Sequence, residues 1–365
     1  MISNEGKQKI THYSLLTTHY SPLTTHHSPL TNLFMSLTGS RKKGKKFLNP
    51  IPTDMGGLDI MIPILKEYIN NKAENNPQKK IGPFKTDTAV YQTLPESGLR
   101  VTAVGHSSLL IEIDGKRILT DPVWSDRVSF TSLFGPKRFF APPFTLDELP
   151  PLDAIIVSHD HYDHLDKATI KFFADKTIPF FCSLGVGDYL AKWGIERNFI
   201  TEMDWGDSVM IGVDCILTAT PARHFSGRGI FGRNETLWSS FVIKGPKHNI
   251  FFGADSGWFP GFAEIGDTFG PFDLTMLEIG AYGKYWPDIH MGPGHASDAH
   301  LALKGKLMMP IHWGTFNLAP HAWYEPIERL LEYAKKKHIQ LFVPEPGEPA
   351  DVEGEYVSGW WEKYL

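Results

Sequence analysis

Residues 158–166 read SHDHYDHLD and follow directly on PLDAIIV (151–157). Three histidines and three aspartates thus stand at the end of an apolar run of strand-like length. Side chains at i and i+2 of an extended segment point the same way, so His159 and His161 face one point. Asp163 and His164 come where the chain turns into a helix beginning near Leu165, and the turn aims them at a second point nearby. Asp160 and Asp166 are out of phase; Asp166 suits a helix N-cap, or a carboxylate supporting a ligand from behind. Zinc takes nitrogen and oxygen donors of this kind, three or more from the protein, with one position open for water. HxHxDH at a strand end therefore reads as half of a metal centre rather than as a polar loop.

Four ligands do not complete two metal sites, so other strand ends must contribute, because rigid strand ends position ligands well. Three more candidates occupy such ends. His224 follows ILTATPAR (216–223), Asp255 closes NIFFGAD (249–255), and His312 lies in MMPIHW (308–313).

The surrounding pattern predicts a layered α/β domain. LLIEID and RILTD flank Asp114-Gly115, a hairpin signal. Further strand-like runs are DAIIVS (153–158), PFFCSL (179–184), DCILTAT (214–220), SSFVIKG (239–245), LTMLEIG (274–280) and IQLFVPE (339–345). Amphipathic helical stretches lie between some of them, as in LDKATIKFFADK (165–176) and YEPIERLLEYAKKK (324–337). No linker interrupts this array, so 81–350 is expected to be one catalytic domain.

The ends differ from the middle. THYSLLT, THYSPLT and THHSPLT (11–31) are three copies of a seven-residue unit. Pro22 and Pro29 would break a helix, and the unit is too polar to bury a core. Residues 1–34 are therefore expected to be a low-complexity tail, and 35–80 a linker and N-terminal segment that includes the basic run RKKGKK (41–46). Residues 351–365 are set off as a C-terminal tail.

Composition excludes several classes. The chain has 365 residues, 42% hydrophobic and 21% charged, with a net charge of −5. That balance favours a globular protein without a nucleic-acid partner. Its two cysteines, Cys182 and Cys215, cannot build a disulfide framework. No apolar run reaches the roughly 18 residues that span a bilayer. A cytoplasmic or peripherally membrane-attached protein is the expectation.

GPKRF (135–139), ELPPLDAIIVSHDHYDHLD (148–166), TPARH (220–224), GADSG (253–257), EIGAY (278–282) and IHWGTF (311–316) resemble the metallo-β-lactamase superfamily. Within it they resemble the N-acylphosphatidylethanolamine-hydrolysing phospholipases D, and FLNPIP (47–52) resembles a segment ahead of that group's domain. The resemblance implies an αββα sandwich: two mixed β-sheets with helices on the outer faces and the site at one edge. It implies two zinc ions, with iron or manganese as substitutes: His159, His161 and His224 on the first, Asp163, His164 and His312 on the second, and Asp255 bridging. It further implies hydrolysis of a phospholipid by a metal-bridging hydroxide, to phosphatidate and N-acylethanolamine, with peripheral membrane contact and a homodimer left open. Asp163 or His290 would help deliver a proton to the leaving group. His290 lies in WPDIHMGPGHASDAH (286–300), which matches more loosely; His295, His300 and His321 are weaker candidates. His106 suits a site role or a structural hydrogen bond equally. Trp258, Phe259, Phe262, Tyr282, Tyr285 and Trp286 are candidates to line an apolar groove. The alternative substrate is small and polar, such as a phosphorylated sugar lactone; it calls for a pocket lined with Arg or Lys.

Overall fold

The computed structural model describes residues 37–56, 61–70, 73–131, 133–229 and 232–365; the heptapeptide repeat lies outside them. The chain enters through a ribbon, β1 (Arg41–Lys43) and β2 (Lys46–Leu48), followed by helix α1 (Met61–Asn70). The basic run is therefore a hairpin rather than a linker. It turns at Gly44, whose φ of +64° costs glycine no Cβ clash.

Strands β3 (Leu99–Gly105), β4 (Ser108–Ile113), β5 (Lys116–Thr120) and β6 (Ala154–Val157) are followed by α2 (Lys167–Phe172), β7 (Phe180–Ser183), α3 (Gly187–Lys192) and β8 (Ile200–Met203). The second half holds β9 (Ser208–Ile211), β10 (Cys215–Pro221), β11 (Ser239–Lys244), β12 (Asn249–Phe252), α4 (Gly261–Phe269), β13 (Phe272–Glu278), α5 (Pro293–Ala302), β14 (Gly305–Ile311), α6 (Glu325–Lys337) and β15 (Gln340–Val343). Two short strands end the chain, β16 (Pro349–Asp351) and β17 (Tyr356–Val357).

They form two mixed sheets. One runs β16-β3-β4-β5-β6-β7-β8, antiparallel up to β5 and parallel beyond. The other runs β17-β15-β14-β13-β12-β11-β10-β9, parallel from β17 to β12 and antiparallel beyond. AIIV of β6 shows why a continuous apolar run is needed. Ala154 and Ile156 pack between the sheets with Ile111, Phe241 and Met276, whereas Ile155 and Val157 face Ile170, Phe173 and Leu190 of the covering helices. Both faces of the strand are buried, so alternation with polar residues is lost. On the other side Phe251 and Met308 meet Phe262, Ala296, Ile327 and Leu330 of α4, α5 and α6. The layers are helix, sheet, sheet, helix, as expected.

Residues 351–365 are not a loose tail. Tyr356 and Val357 pair with β15, and Trp360 and Trp361 are buried among Trp313, Trp323 and Phe84. A Trp361→Ala protein should lose about 3–5 kcal/mol of stability through the cavity left behind. Denaturant unfolding reads this directly; an unchanged midpoint would show the segment to be expendable.

Candidate metal centre

The seven residues singled out along the chain converge at one edge of the sandwich. They stand at the ends of β6, β10, β12 and β14, all within the layered domain. Backbone bends sharpen the aim: His312, at φ 60°, and Asp121, at φ 38°, adopt the left-handed region just past β14 and β5. The His312 N–H donates to the His106 carbonyl at 3.0 Å, tying the two sheets together at the site.

In the first cluster, His161 Nδ1 lies 2.9 Å from His159 Nε2 and 3.2 Å from His224 Nε2. Burial, the largest influence, pulls His161 and His224 down to about 3 and His159 well below the usual imidazole range. Neutral rings aimed at one another are an unfavourable way to arrange nitrogen lone pairs unless a cation sits among them. Tetrahedral zinc with Zn–N near 2.1 Å would separate such nitrogens by about 3.4 Å, close to the spacing seen. The far ring nitrogens are occupied: His159 Nδ1 by Ser158 Oγ at 2.9 Å and His224 Nδ1 by the Ile289 carbonyl at 2.8 Å. Those bonds turn each Nε2 inward.

The second cluster is Asp163, His164 and His312, joined by His106. Asp163 Oδ2 lies 3.0 Å from His106 Nε2, 3.4 Å from His312 Nε2 and 3.7 Å from His164 Nε2. Asp255 reaches both clusters. Its Oδ1 is 3.2 Å from His164 Nε2, and its Oδ2 is 3.2 Å from His312 Nε2, 3.6 Å from His224 Nε2 and 3.9 Å from His159 Nε2. Burial opposes charge on these groups, yet the surrounding carboxylates together, Asp255 and Asp163 foremost, lift His164 well above the usual range and His312 to about 10. In turn burial is outweighed by the neighbouring imidazoles together, His164 foremost with His106 and His312 for Asp163 and with His312 for Asp255, and both carboxyls are held well below the usual carboxylate range.

Asp255 Oδ1, His164 Nε2 and His312 Nε2 are buried without a well-formed hydrogen bond. Orphaned polar atoms of this kind are costly in a protein interior. Convergent nitrogen and carboxylate donors left unsatisfied at their meeting point fit a pair of divalent ions.

Several contributors escaped the sequence reading. Asp121, closing RILTD, holds His164 Nδ1 at 2.7 Å and also accepts from Ser158 N and Oγ. Glu278, closing β13, hydrogen-bonds His290 Nδ1 at 2.7 Å and accepts from Ser256 N. Both are acids at the ends of apolar strands, the signal that picked out Asp255. Asn49 clamps His224, accepting its N–H at 2.9 Å and donating to its carbonyl at 2.7 Å. The segment ahead of the domain thus positions a site residue. Asp166 caps α2 and also accepts from Trp124 and Ser125, whereas Asp160 accepts from Gly227.

A cavity of about 280 Å³ opens over the clusters, lined by His161, Asp163, Asp255, His290 and His312. Its remaining walls are Met55, Phe225, Ala281, Trp286, Ile289 and Leu318. The proposed aromatic groove is only partly met. Trp286 lines the cavity, but Phe259 and Phe262 are fully buried under the second sheet. Tyr282 stacks on His321 and bonds Glu325, and Trp258 lies near His295. His300 hydrogen-bonds Thr275 within the core.

A beta-lactamase superfamily domain matches residues 116–313, which contain all seven converging residues. An uncharacterized protein of Mycobacterium tuberculosis is 48% identical over 270 residues, 73% of this chain and 72% of that protein. N-acyl-phosphatidylethanolamine-hydrolyzing phospholipase D 1 of Caenorhabditis elegans is 36% identical over 316 residues, 80% of this chain and 87% of that enzyme. Among solved structures, the metallo hydrolase Igni18 of Ignicoccus hospitalis shares the fold, with a TM-score of 0.52 at 23% identity over 69% of this chain and 97% of that one. With the layered sheets and the converging histidines and aspartates, these likenesses establish that the chain belongs to the beta-lactamase superfamily, as one of its metal-dependent hydrolases.

Proposed function

We propose that this hydrolase is a phosphodiesterase of the phospholipase D type, using two zinc ions to cleave N-acylphosphatidylethanolamine-like lipids into phosphatidate and an N-acylethanolamine. The observation that carries this reading is the cavity wall. Beyond the clustered donors, its described lining is apolar and contains no lysine or arginine. Such walls suit acyl chains. A phosphorylated sugar would call for cationic side chains to take its phosphate. The C. elegans relative, named as a phospholipase acting on such a lipid, supports the same assignment.

His159, His161 and His224 would hold one ion, Asp163, His164 and His312 the other, with Asp255 between them. Divalent ions held there would supply an activated water near neutral pH and would draw charge from the phosphoryl oxygens. The chain's own part is to hold the rings: Asp121, Ser158 and the Ile289 carbonyl each occupy a far ring nitrogen. His290, fixed by Glu278, and Asp163, held by His106, both line the cavity, and one of them would help deliver a proton to the departing oxygen.

Purified protein in mixed micelles should release N-acylethanolamine from the N-acylated phospholipid. Free turnover of water-soluble phosphodiesters or sugar lactones with no action on the lipid would overturn the substrate assignment.

A further inference from the structure

Beside the metal cavity the surface is apolar and basic at once. Phe130, Leu133 and Phe134 are 83%, 73% and 72% exposed. Their loop is closed at its neck: Ser129 Oγ bonds the carbonyls of Thr131 and Phe134, and Arg127 bonds the Gly135 carbonyl. Its apolar side chains are thus held outward. Large side chains grouped in this way on a soluble surface mark a contact site.

Behind the loop lies a cavity of about 400 Å³, bordered by Arg127, Lys167, Lys171 and Arg228. Among the described residues, none of these four cations is paired with a carboxylate. The two guanidinium groups instead donate to backbone carbonyls, Arg127 to Gly135 and Arg228 to Asp160 and Leu165. Asp126 and Asp166 line the same cavity, so four cations stand against two acids there; Asp126 pairs with Lys137 at 3.5 Å, and Asp166 accepts from Trp124, Ser125, Ala168 and Thr169. A chain of net charge −5 therefore presents a local positive patch around apolar tips.

The patch adjoins the metal cavity. Tyr162, between His161 and Asp163, lines the basic cavity and packs, as Leu318 does, on the cluster of Val123, Val128 and Phe316; Leu318 is also a wall of the metal cavity. A second exposed apolar row lies by another wall. Ile62, Leu65 and Ile69 of α1 are 66%, 60% and 73% exposed, and Glu67 on the same helix pairs at 3.1 Å with Lys284, two residues before Trp286.

We propose that this rim is a docking surface for an anionic lipid bilayer. Phe130, Leu133 and Phe134 enter the headgroup–acyl boundary, the exposed Lys167 and Lys171 with Arg127 beside them meet lipid phosphates, and the metal cavity opens at the bilayer, while Arg228, stacked on Tyr162 and Trp193, stays within the protein. Apolar tips ringed by cations match such an interface, whereas nucleic acid would use the cations and leave the tips in water. The inference rests on the lipid reading of the cavity and deepens it, but its measurement is binding rather than turnover.

The full chain is sedimented with vesicles of pure phosphatidylcholine and with vesicles one-third phosphatidylglycerol. It should bind the anionic vesicles more tightly, and the preference should shrink in high salt. A Lys167→Gln/Lys171→Gln protein should bind them about 30-fold more weakly, at roughly fivefold per cation near the surface. A Phe130→Ser/Phe134→Ser protein should lose at least about tenfold. Turnover of a water-soluble aryl phosphodiester should be unchanged in both variants. Parental binding without anionic preference, variants that bind like the parent, or binding to duplex DNA in place of vesicles would each overturn the surface. Vesicle binding that obeys these variants, in a protein that does not cleave the N-acylated phospholipid, would overturn the substrate assignment and leave the surface standing.

Discussion

An Asp255→Ala protein should lose hydrolytic turnover by roughly a thousandfold or more, while still folding. Among the described residues, Asp255 is the carboxylate that pairs within 4 Å with His159, His164, His224 and His312 together. Removing it takes away the oxygen donor common to both clusters and leaves Asp163 as the carboxylate between His164 and His312. A divalent pair is worth several kcal/mol of transition-state charge stabilisation, and each 1.4 kcal/mol is tenfold in rate. Metal content measured on the purified variant should fall in parallel, and near-ultraviolet circular dichroism should show that the aromatic core is intact. A variant that keeps parental turnover with a full complement of metal would dismiss Asp255 as the shared donor.

Exhaustive chelation should have the next largest effect, on activity and stability at once. Without bound cations, Asp163 and Asp255 rely on protonated His164 and His312 for counter-charge in a buried setting. A ligand present at 100 to 1,000 times its dissociation constant contributes about 2.7 to 4.1 kcal/mol to the folded state. In a domain of this size that corresponds to a melting temperature lower by on the order of 5–15 °C after metal removal. Turnover should vanish and return on adding zinc; recovery only with iron or manganese would reassign the metal and keep the site. Undiminished turnover in protein shown to be metal-free would refute metal-dependent chemistry at this cluster.

The strands and the chelating motif were legible because both are local patterns. β6 reads as AIIV with both faces apolar, and SHDHYDHLD carries its own spacing. Asp114-Gly115 forms the expected hairpin between β4 and β5. The ends of the chain were misjudged for the opposite reason. RKKGKK looks like a solvated linker by charge, yet Phe47 beside it is buried against Trp205 and Trp238. Trp360 and Trp361 lie in a short polar stretch whose local pattern gives no hint that β15 and α6 await them.

From residue types and spacing alone came the layered α/β architecture, a metal centre at strand ends, and the seven side chains to build it. These follow from alternation along a strand and from donor chemistry, which need no knowledge of distant neighbours. Only the folded chain decided that Glu278, Asp121 and Asn49 brace the two clusters, and that Phe259 and Phe262 are core while Met55, Phe225 and Leu318 wall the cavity. Such facts depend on distances between segments far apart in sequence, and those are set by how the two sheets close on each other, which local pattern does not encode.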